Sequence, residues 1–402
     1  PSASKAELAA IYRLAIDARL EVSTLPALED ILNGRLGPSS IKEVELEDLL
    51  MRDSVNLDRV KIEQAYLNKI IMVTGAGGSI GSELCHQIGY IKPDMVILFE
   101  QTEWFLYELE RKLVSQFPSV EFISVIGDVR DYASLESVVV RYKPDFIFHA
   151  AAYKHVPLVE RNPAEAIVTN VIGTTNAAMV AAKHGVSRFV LISTDKAVNP
   201  TSIMGATKRV AEISCQICAE DNPDTKFMIV RFGNVLGSSG SVIPLFKSQI
   251  AAGGPVTVTH RDVVRYFMSI PEASQLVMLA GAIGNGGELF VLDMGDLIKI
   301  YDLATDLIKL SGFTPGEDMQ IEITGLRPGE KLYEELLADK ETTIETNYSK
   351  IKIARCIETD DIIREQMRKI QLINRVTDPG VVIAALQALV PDFKHASSSN
   401  RV

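Results

Sequence analysis

The sequence is short of several things, and each shortage removes a class of protein. Four cysteines (Cys85, Cys215, Cys218, Cys356) in 402 residues are no disulfide framework. Two of them form Cys215-x-x-Cys218, but inside a helical pattern, A-E-I-S-C-Q-I-C-A-E, with no second Cys or His pair nearby. Buried packing thiols are expected there, and no metal site. No apolar run reaches the ~18 residues of a membrane span; the longest candidate, Val381 to Val390, reads as a buried helix. Basic charge is in deficit, with a net charge of −11, which argues against a broad nucleic-acid footprint. An anionic ligand would have to be met by local arginines and helix N-termini. Internal repeats, low-complexity tracts and a signal-peptide pattern are all missing. So is an initiator Met, which is read here as the mark of a piece of a longer protein.

What is present is ordinary globular composition, arranged in three parts. Residues 1–68 read as a linker or helical segment too short to bury a core of its own: helical from Ala6 to Leu20, with a strand candidate at Glu21 to Thr24. The stretch Ile41 to Leu50 is acidic and amphipathic. From Lys69 the pattern alternates. The apolar runs I-I-M-V-T-G, M-V-I-L-F-E, F-I-S-V-I-G-D, F-I-F-H-A-A-A and F-V-L-I-S-T-D are separated by helical periodicity. This predicts an α/β fold, a doubly wound Rossmann-type parallel sheet over 69–225, with ligands beyond the carboxyl ends of the strands. Residues 226–402 are less regular and predict a smaller α+β substrate domain, with some segments returning to the main sheet. The last residues, H-A-S-S-S-N-R-V, read as a disordered tail.

The segment I-I-M-V-T-G-A-G-G-S-I-G places Gly75, Gly78, Ser79, Ile80 and Gly81 directly after a strand and at the opening of a helix. Glycine permits the tight turn and a close backbone approach to a pyrophosphate, and the helix N-terminus favours its charge. Glu100 ends the next strand, where a carboxylate accepts bonds from a ribose 2′-hydroxyl and repels a 2′-phosphate. NAD is therefore expected rather than NADP. Asp128 and Val129, after the third strand, would lie near the adenine, although Asp128 alone reads equally as a helix N-cap. Ala150, Ala151 and Ala152 leave room for a cofactor against the backbone.

At 188–212, R-F-V-L-I-S-T-D-K-A-V-N-P-T-S-I-M-G-A-T-K-R-V-A-E, the chain resembles the extended short-chain dehydrogenases. Within them it resembles the CapD-like polysaccharide-biosynthesis group, the UDP-N-acetylglucosamine 4,6-dehydratases. The resemblance covers about residues 69–340. It also rests on H-A-A-A-Y-K-H-V-P, R-F-G-N-V-L-G-S-S-G-S-V-I-P, R-Y-F-M-S-I-P-E-A and L-R-P-G-E-K. Residues 1–68 resemble the linker between membrane helices and catalytic domain in the large anchored members. The resemblance thus implies a cytoplasmic catalytic part whose full-length parent is anchored in a bacterial inner membrane. It would serve cell-surface polysaccharide or protein glycosylation, with no membrane contact from this piece itself.

Such enzymes oxidise C4 of the sugar by hydride transfer to NAD, eliminate water across C5 and C6, and return the hydride to C6. By resemblance, Thr194 hydrogen-bonds the C4 oxygen, Asp195 is the acid for the C6 hydroxyl and Lys196 the base at C5. Lys208 holds the nicotinamide ribose. The family's usual Tyr is Met204 here, which cannot move a proton, so the C4 step is expected to use Asp195 through a water. A base must be neutral and an acid protonated, and a close Asp195–Lys196 ion pair opposes both. Lys154 resembles a position touching cofactor and substrate. Asn170, on the next helix, is a cofactor candidate or a structural residue, and His149 reads as a satisfied histidine. For the UDP-sugar, Arg265 and Arg327 offer bidentate guanidinium groups. Glu330 is placed for the ribose and Asn234 for the diphosphate-sugar region. Ser238, Ser239, Gly240 and Ser241 read as a flexible polar loop expected to close over the nucleotide, with Val242 beside it as a further substrate candidate, and Arg327 is expected in a turn entering a helix.

Two other readings stand beside this one. A nucleotide-sugar 4-epimerase would leave Asp195 and Lys196 without a role, and a non-catalytic NAD-binding scaffold would explain Met204 but not the retained lysines and arginines. A homo-oligomer is expected, with Phe105 to Leu113 and Ile167 to Val180 as the interface helices to examine.

Overall fold

The computed structural model describes residues 5–18, 20, 23–24, 42–43, 58–337, 342–354 and 359–395. They fall into two compact units, one of 1–55, 236–269 and 295–326, the other of 56–235, 270–294 and 327–402.

The larger unit is built on nine strands. In chain order these are β1 (Ile70–Thr74), β2 (Met95–Glu100), β3 (Glu121–Ile126), β4 (Phe146–His149), β5 (Arg188–Ile192), β6 (Lys226–Arg231), β7 (Leu289–Leu292), β8 (Thr343–Glu345) and β9 (Ile351–Ala354). Their spatial order is β8-β9-β7-β6-β5-β4-β1-β2-β3. Strands β1 to β7 run parallel, and β9 and β8 close the edge antiparallel. Apolar runs such as Met-Val-Ile-Leu-Phe in β2 form strands because both faces are covered; Val96, Ile97, Leu98 and Phe99 are all buried. Each large side chain so buried contributes roughly 1.5–3 kcal/mol.

The covering helices include α1 (Ser79–Ile91), α2 (Glu103–Gln116), α3 (Tyr132–Tyr142), α4 (Gly173–Lys183), α5 (Ile203–Asp221), α6 (Ile270–Ile283), α7 (Asp361–Ile370) and α8 (Pro379–Leu389). Between β4 and α4 the chain is helical from Val156, with a π-helical turn at Ile167–Ile172. The C-terminal pair α7 and α8 buries Met367, Ile370, Val382 and Leu386 against Val210 and Ile213 of α5.

Several expectations change here. The boundary at 225/226 falls between α5 and β6, inside one sheet, because β6, β7, β8 and β9 all return to it. Residues 1–68 are not one piece. Helix Arg59–Tyr66 belongs to the larger unit, where Tyr66 is buried, donates to the Met278 carbonyl at 2.6 Å and meets Phe146 edge-on. The Val381 to Val390 run is half-buried rather than buried, with Val381 exposed. Most of Ile41 to Leu50 lies outside the described residues, as do Cys356 and the tail beyond His395. His395 itself is anchored, its Nε2 2.9 Å from the Glu160 carboxylate.

In the smaller unit, helix Lys5–Asp17 lies against helix Ile300–Leu310, with Arg13 and Asp306 paired at 3.6 Å. Val256–Val258 runs parallel to Ile321–Ile323, and Val264–Met268 antiparallel to Leu297–Lys299. Among the described residues no helix is long and apolar enough to cross a membrane.

Candidate functional site

The carboxyl ends of six neighbouring parallel strands, β1 to β6, carry the cofactor candidates and the Asp195–Lys196 pair. At the end of β1, Gly75 has φ +67°, and a Cβ there would lie 2.7 Å from the Ala151 backbone. A Cβ on Gly81 would lie 2.1 Å from the Gly75 carbonyl oxygen. These two glycines let the loop, the helix and the small-residue run Ala150–Ala152 approach one another. Gly78 is different: it is the N-cap of α1, with no side-chain cap, so the thirteen-residue helix opens on a bare backbone turn. Glu100, buried at the end of β2, accepts from the Gly77 amide at 3.1 Å and the Thr102 amide at 3.0 Å. Two amides leave a carboxylate with further acceptor capacity, and the whole forms a cradle that fits a dinucleotide.

Asp128 is locked by Arg130, whose Nε lies 2.9 and 2.8 Å from its two oxygens, and Arg130 continues to Glu165 at 3.0 Å. Burial would raise the Asp128 pKa, but the bonds and charge of Arg130 hold it below the usual carboxylate range. It is not a helix N-cap; Asp131 caps α3, accepting from the Ser134 amide. Val129 is buried against Gly173.

His149 closes β4 and is fully satisfied. Thr174 gives its hydroxyl proton to the Asn170 carbonyl at 2.7 Å, so it accepts from His149 Nε2 at 3.0 Å, and Nδ1 accepts from Thr74 at 2.8 Å. Burial lowers the His149 pKa to about 3, with Lys208 adding to the effect, so the ring is neutral. Asn170 uses its side chain as a clamp. Its oxygen accepts from Tyr153 N at 2.7 Å, and its amide donates to Tyr153 O and Thr207 Oγ1, both at 3.0 Å. The loop carrying Lys154 is thereby fixed to α5. Desolvation, then the charge of Lys196, lowers the Lys154 pKa, although the residue as a whole is exposed.

The chemistry-bearing cluster follows β5. Asp195 is fully buried. Its Oδ1 accepts from Thr194 Oγ1 at 2.8 Å and Lys196 Nζ at 2.9 Å, and Lys196 Nζ also donates to Asn234 Oδ1 at 2.8 Å. The second oxygen, Oδ2, is buried without a hydrogen-bond partner among the described residues. A buried carboxylate oxygen left so is costly. On α5, Met204 is buried in an apolar cluster with Val159, Ile167 and Val210. One turn on, Lys208 is buried and donates to the Ile192 carbonyl at 2.7 Å. Burial lowers the Lys208 pKa to about 8, against the attraction of Glu212.

The R-P-G-E-K segment is a turn and enters no helix; Glu330 accepts from the Arg327 amide within it at 3.2 Å. It is fastened to the segment after Asp195. Thr201 donates to Gly329 O at 3.0 Å, and Lys331 donates to Val198 O at 2.9 Å. Arg327 itself is exposed. Ser239, Val242 and Arg265 lie in the smaller unit. There Ser239 is exposed, Val242 begins helix Val242–Ala251, and Arg265 is buried, donating to the Val264 carbonyl at 2.8 Å. Cys215 and Cys218 are buried thiols, and burial pushes Cys218 up to about 12.

Residues not singled out from sequence also shape the site. A Cβ on Gly205 would sit 2.1 Å from the Lys196 carbonyl oxygen, so α5 approaches the Asp195–Lys196 turn only through a glycine. The M-G-A-T-K string contained that signal. Glu212, Arg209 and Arg231 form a buried ionic node behind it; Arg209 and Glu212 are three apart on α5, but nothing in the local sequence pairs either with Arg231.

Comparison with known proteins agrees with this architecture. The family model described as polysaccharide biosynthesis protein matches residues 71–356. The capsular polysaccharide biosynthesis protein CapD of Staphylococcus aureus is 51% identical, over 91% of this chain and 62% of its own length; the chain thus spans about three fifths of that relative. An inverting UDP-N-acetylglucosamine 4,6-dehydratase of Campylobacter jejuni is 34% identical, over 68% of this chain and 79% of its own. A UDP-glucose 4-epimerase of Rickettsia canadensis is also 34% identical, over 69% and 80%. Among solved structures, Pen from Bacillus thuringiensis aligns with a TM-score of 0.67 and 35% identity, over 72% of this chain and 90% of its own. A dTDP-glucose 4,6-dehydratase of Streptomyces venezuelae, solved as a double mutant with NAD bound, shares the fold with a TM-score of 0.60 and 22% identity, over 75% and 95%.

Proposed function

Because the chain belongs to the polysaccharide biosynthesis protein family, within the extended short-chain dehydrogenases, we propose that it is an NAD-dependent UDP-N-acetylglucosamine 4,6-dehydratase. Glu100, the bare N-terminus of α1 and Lys208 are the groups that would hold NAD. When bound, NAD supplies a reversible hydride store.

The observation that carries the reading is the Asp195–Lys196 pair, a carboxyl and an amine 2.9 Å apart beyond the end of β5. Elimination across C5 and C6 needs one acid and one base side by side. The proton count closes if the pair enters the cycle one proton short of the ion pair, with Asp195 ionised and Lys196 neutral. Asp195 then takes the C4 hydroxyl proton through a water and delivers it to the departing C6 oxygen. Lys196 takes the C5 proton and later returns it. Thr194, whose hydroxyl proton goes to Asp195 in the free site, would turn that proton to the C4 oxygen to hold it. Asn234 keeps the Lys196 amine on its mark through the cycle, and exclusion of water by the bound sugar disfavours the charged pair. Met204 takes no part in proton transfer. Arg327 and Glu330 are assigned to the UDP moiety, with Lys154 and Asn234 beside the sugar and diphosphate; Arg265, Ser239 and Val242 of the smaller unit are carried as further substrate candidates.

A 4-epimerase is the second reading, supported by the equal similarity of the Rickettsia relative. Incubation with UDP-N-acetylglucosamine and NAD in deuterated water separates the two. Loss of one water with deuterium at C5 is the expected result. An unchanged mass with inverted C4 would establish the epimerase. Bound NAD with no change in any nucleotide sugar would leave only the scaffold.

A further inference from the structure

Glu160 is a largely buried carboxylate that the proposed chemistry does not use. It lies on the short helix Val156–Arg161, which opens directly after Lys154 and His155. Its side chain is 11% exposed. Oε1 accepts from the Ile203 amide at 2.7 Å, and Oε2 lies 2.9 Å from His395 Nε2. Ile203 is the first residue of α5, the helix that carries Met204 and Lys208. His395 comes from the C-terminal segment, which two neighbours of the imidazole fasten. Phe393 is buried in the cluster with Ile203 and Met204, and the Lys394 amide donates to the Pro200 carbonyl at 3.1 Å.

The Arg327 turn rests on the same spot. A Cβ on Gly329, which has φ +78°, would lie 2.8 Å from Ser202 Cβ and 3.2 Å from Glu160 Oε1. Glycine therefore lets the turn sit directly on the carboxylate and on the N-cap of α5. The turn and the residues after it then bond along the segment that Glu160 fixes at Ile203. Thr201 donates to Gly329 O at 3.0 Å, Lys331 donates to Val198 O at 2.9 Å, and Asn199 donates to the Glu335 carboxylate at 2.9 Å. A largely buried carboxylate is costly unless its oxygens are bonded. Here one oxygen holds the start of α5 and the other holds the C-terminal segment, so both set where the turn is seated.

We propose that Glu160 is a positioning residue for the nucleoside-diphosphate end of the substrate: it seats the turn of Arg327 and Glu330 on residues 198–203, and His395 completes the seat. The inference rests on the proposal that Arg327 and Glu330 meet the UDP moiety. Within the turn Glu330 accepts from the Arg327 amide, so one seat orients both groups. Helix α5 has other support. Ser202 Oγ caps it, accepting from the Gly205 amide at 3.1 Å, and most of its nineteen residues are buried. The turn is exposed at Arg327 and Pro328. Loss of the Glu160 carboxylate therefore displaces the turn before it displaces α5, and the β1–α1 cradle shares no residue with the seat. The effect falls on the substrate and spares the cofactor.

The test is calorimetry of the full chain with UDP and, separately, with NAD, on wild type, Glu160→Ala, His395→Ala and Gly329→Ala. Glu160→Ala is expected to weaken UDP binding about tenfold, the scale of one net hydrogen bond, while NAD affinity stays within about twofold of wild type. His395→Ala should act in the same direction by a smaller factor, because the bond to Ile203 remains. Gly329→Ala should also weaken UDP and spare NAD, since its added Cβ lifts the turn from Ser202 without removing either bond of Glu160. A merely structural role would lower both affinities, so UDP and NAD falling together in Glu160→Ala overturns the assignment. UDP affinity equal to wild type in Glu160→Ala overturns it too, and leaves the substrate reading of the turn intact. Should Glu160→Ala fail to fold, Gly329→Ala decides by the same two criteria. A wild type that binds NAD but neither UDP nor UDP-N-acetylglucosamine would defeat the substrate reading and this inference together.

Discussion

Single atoms decide the chemistry of the Asp195–Lys196 turn. Asp195→Asn keeps the shape but cannot carry a proton, and Lys196→Ala removes the C5 base. Each is expected to abolish water loss while NAD affinity stays near wild type, since neither residue belongs to the β1–α1 cradle. Loss of NAD binding in either variant would make them structural residues. Gly205 offers a separate probe. Its would-be Cβ lies 2.1 Å from the Lys196 carbonyl oxygen, which is backbone and cannot swing aside. Gly205→Ala should therefore displace Lys196 from Asn234 and Asp195, lowering kcat by roughly 100-fold with an intact sheet by circular dichroism. Activity within a few-fold of wild type would show that α5 can retreat without disturbing the pair.

At the scale of elements, what was legible followed from period and punctuation. Continuous apolar runs ending in Gly75, Glu100, Asp128, Ala152 and Asp195 sufficed to place a parallel sheet and its functional edge. Elements whose partners lie far along the chain were not legible. The edge strands β8 and β9 are short and lie past the irregular stretch, so 226–402 read as mostly a separate domain. The Arg327 turn enters no helix among the described residues: Gly329 adopts φ +78° and its carbonyl docks on Thr201. The expected interface pair is only half available. Helix α2 exposes Trp104, Phe105 and Tyr107, but Ile167, Val171, Ala177 and Val180 are buried within the larger unit. Met204 belongs at this scale too, because it packs between α5 and the helical segment before α4. Met204→Tyr is expected to fold with a loss of about 1–3 kcal/mol from overpacking, read as a lower urea midpoint. Unfolding outright would mean the cluster admits no ring, and would count against the resemblance at that position.

For the molecule as a whole, three buried groups bias stability in one direction along the pH axis. Glu212, which burial would raise, is brought down to about 2 by Arg231 and Arg209, below its ordinary 4.5. It stabilises the fold above the unfolded value, and that contribution is lost as pH falls toward 2. His149 stays neutral down to about 3 against an ordinary 6.5. Between those values the unfolded chain binds a proton that the folded one refuses, so stability again falls with falling pH. Lys208, lowered from 10.5 to about 8, does the same in the alkaline range: unfolded lysine keeps its proton there and folded lysine does not, so stability rises with pH from 8 to 10.5. Urea midpoints should therefore climb from pH 4 to pH 6.5 and again above pH 8. Cofactor affinity should move the other way above pH 8, because the neutral lysine that is cheaper to bury is also the poorer donor to a ribose. A midpoint and an affinity that decline together above pH 8 would show that Lys208 remains charged in the folded protein, and that the alkaline loss of affinity belongs to another group.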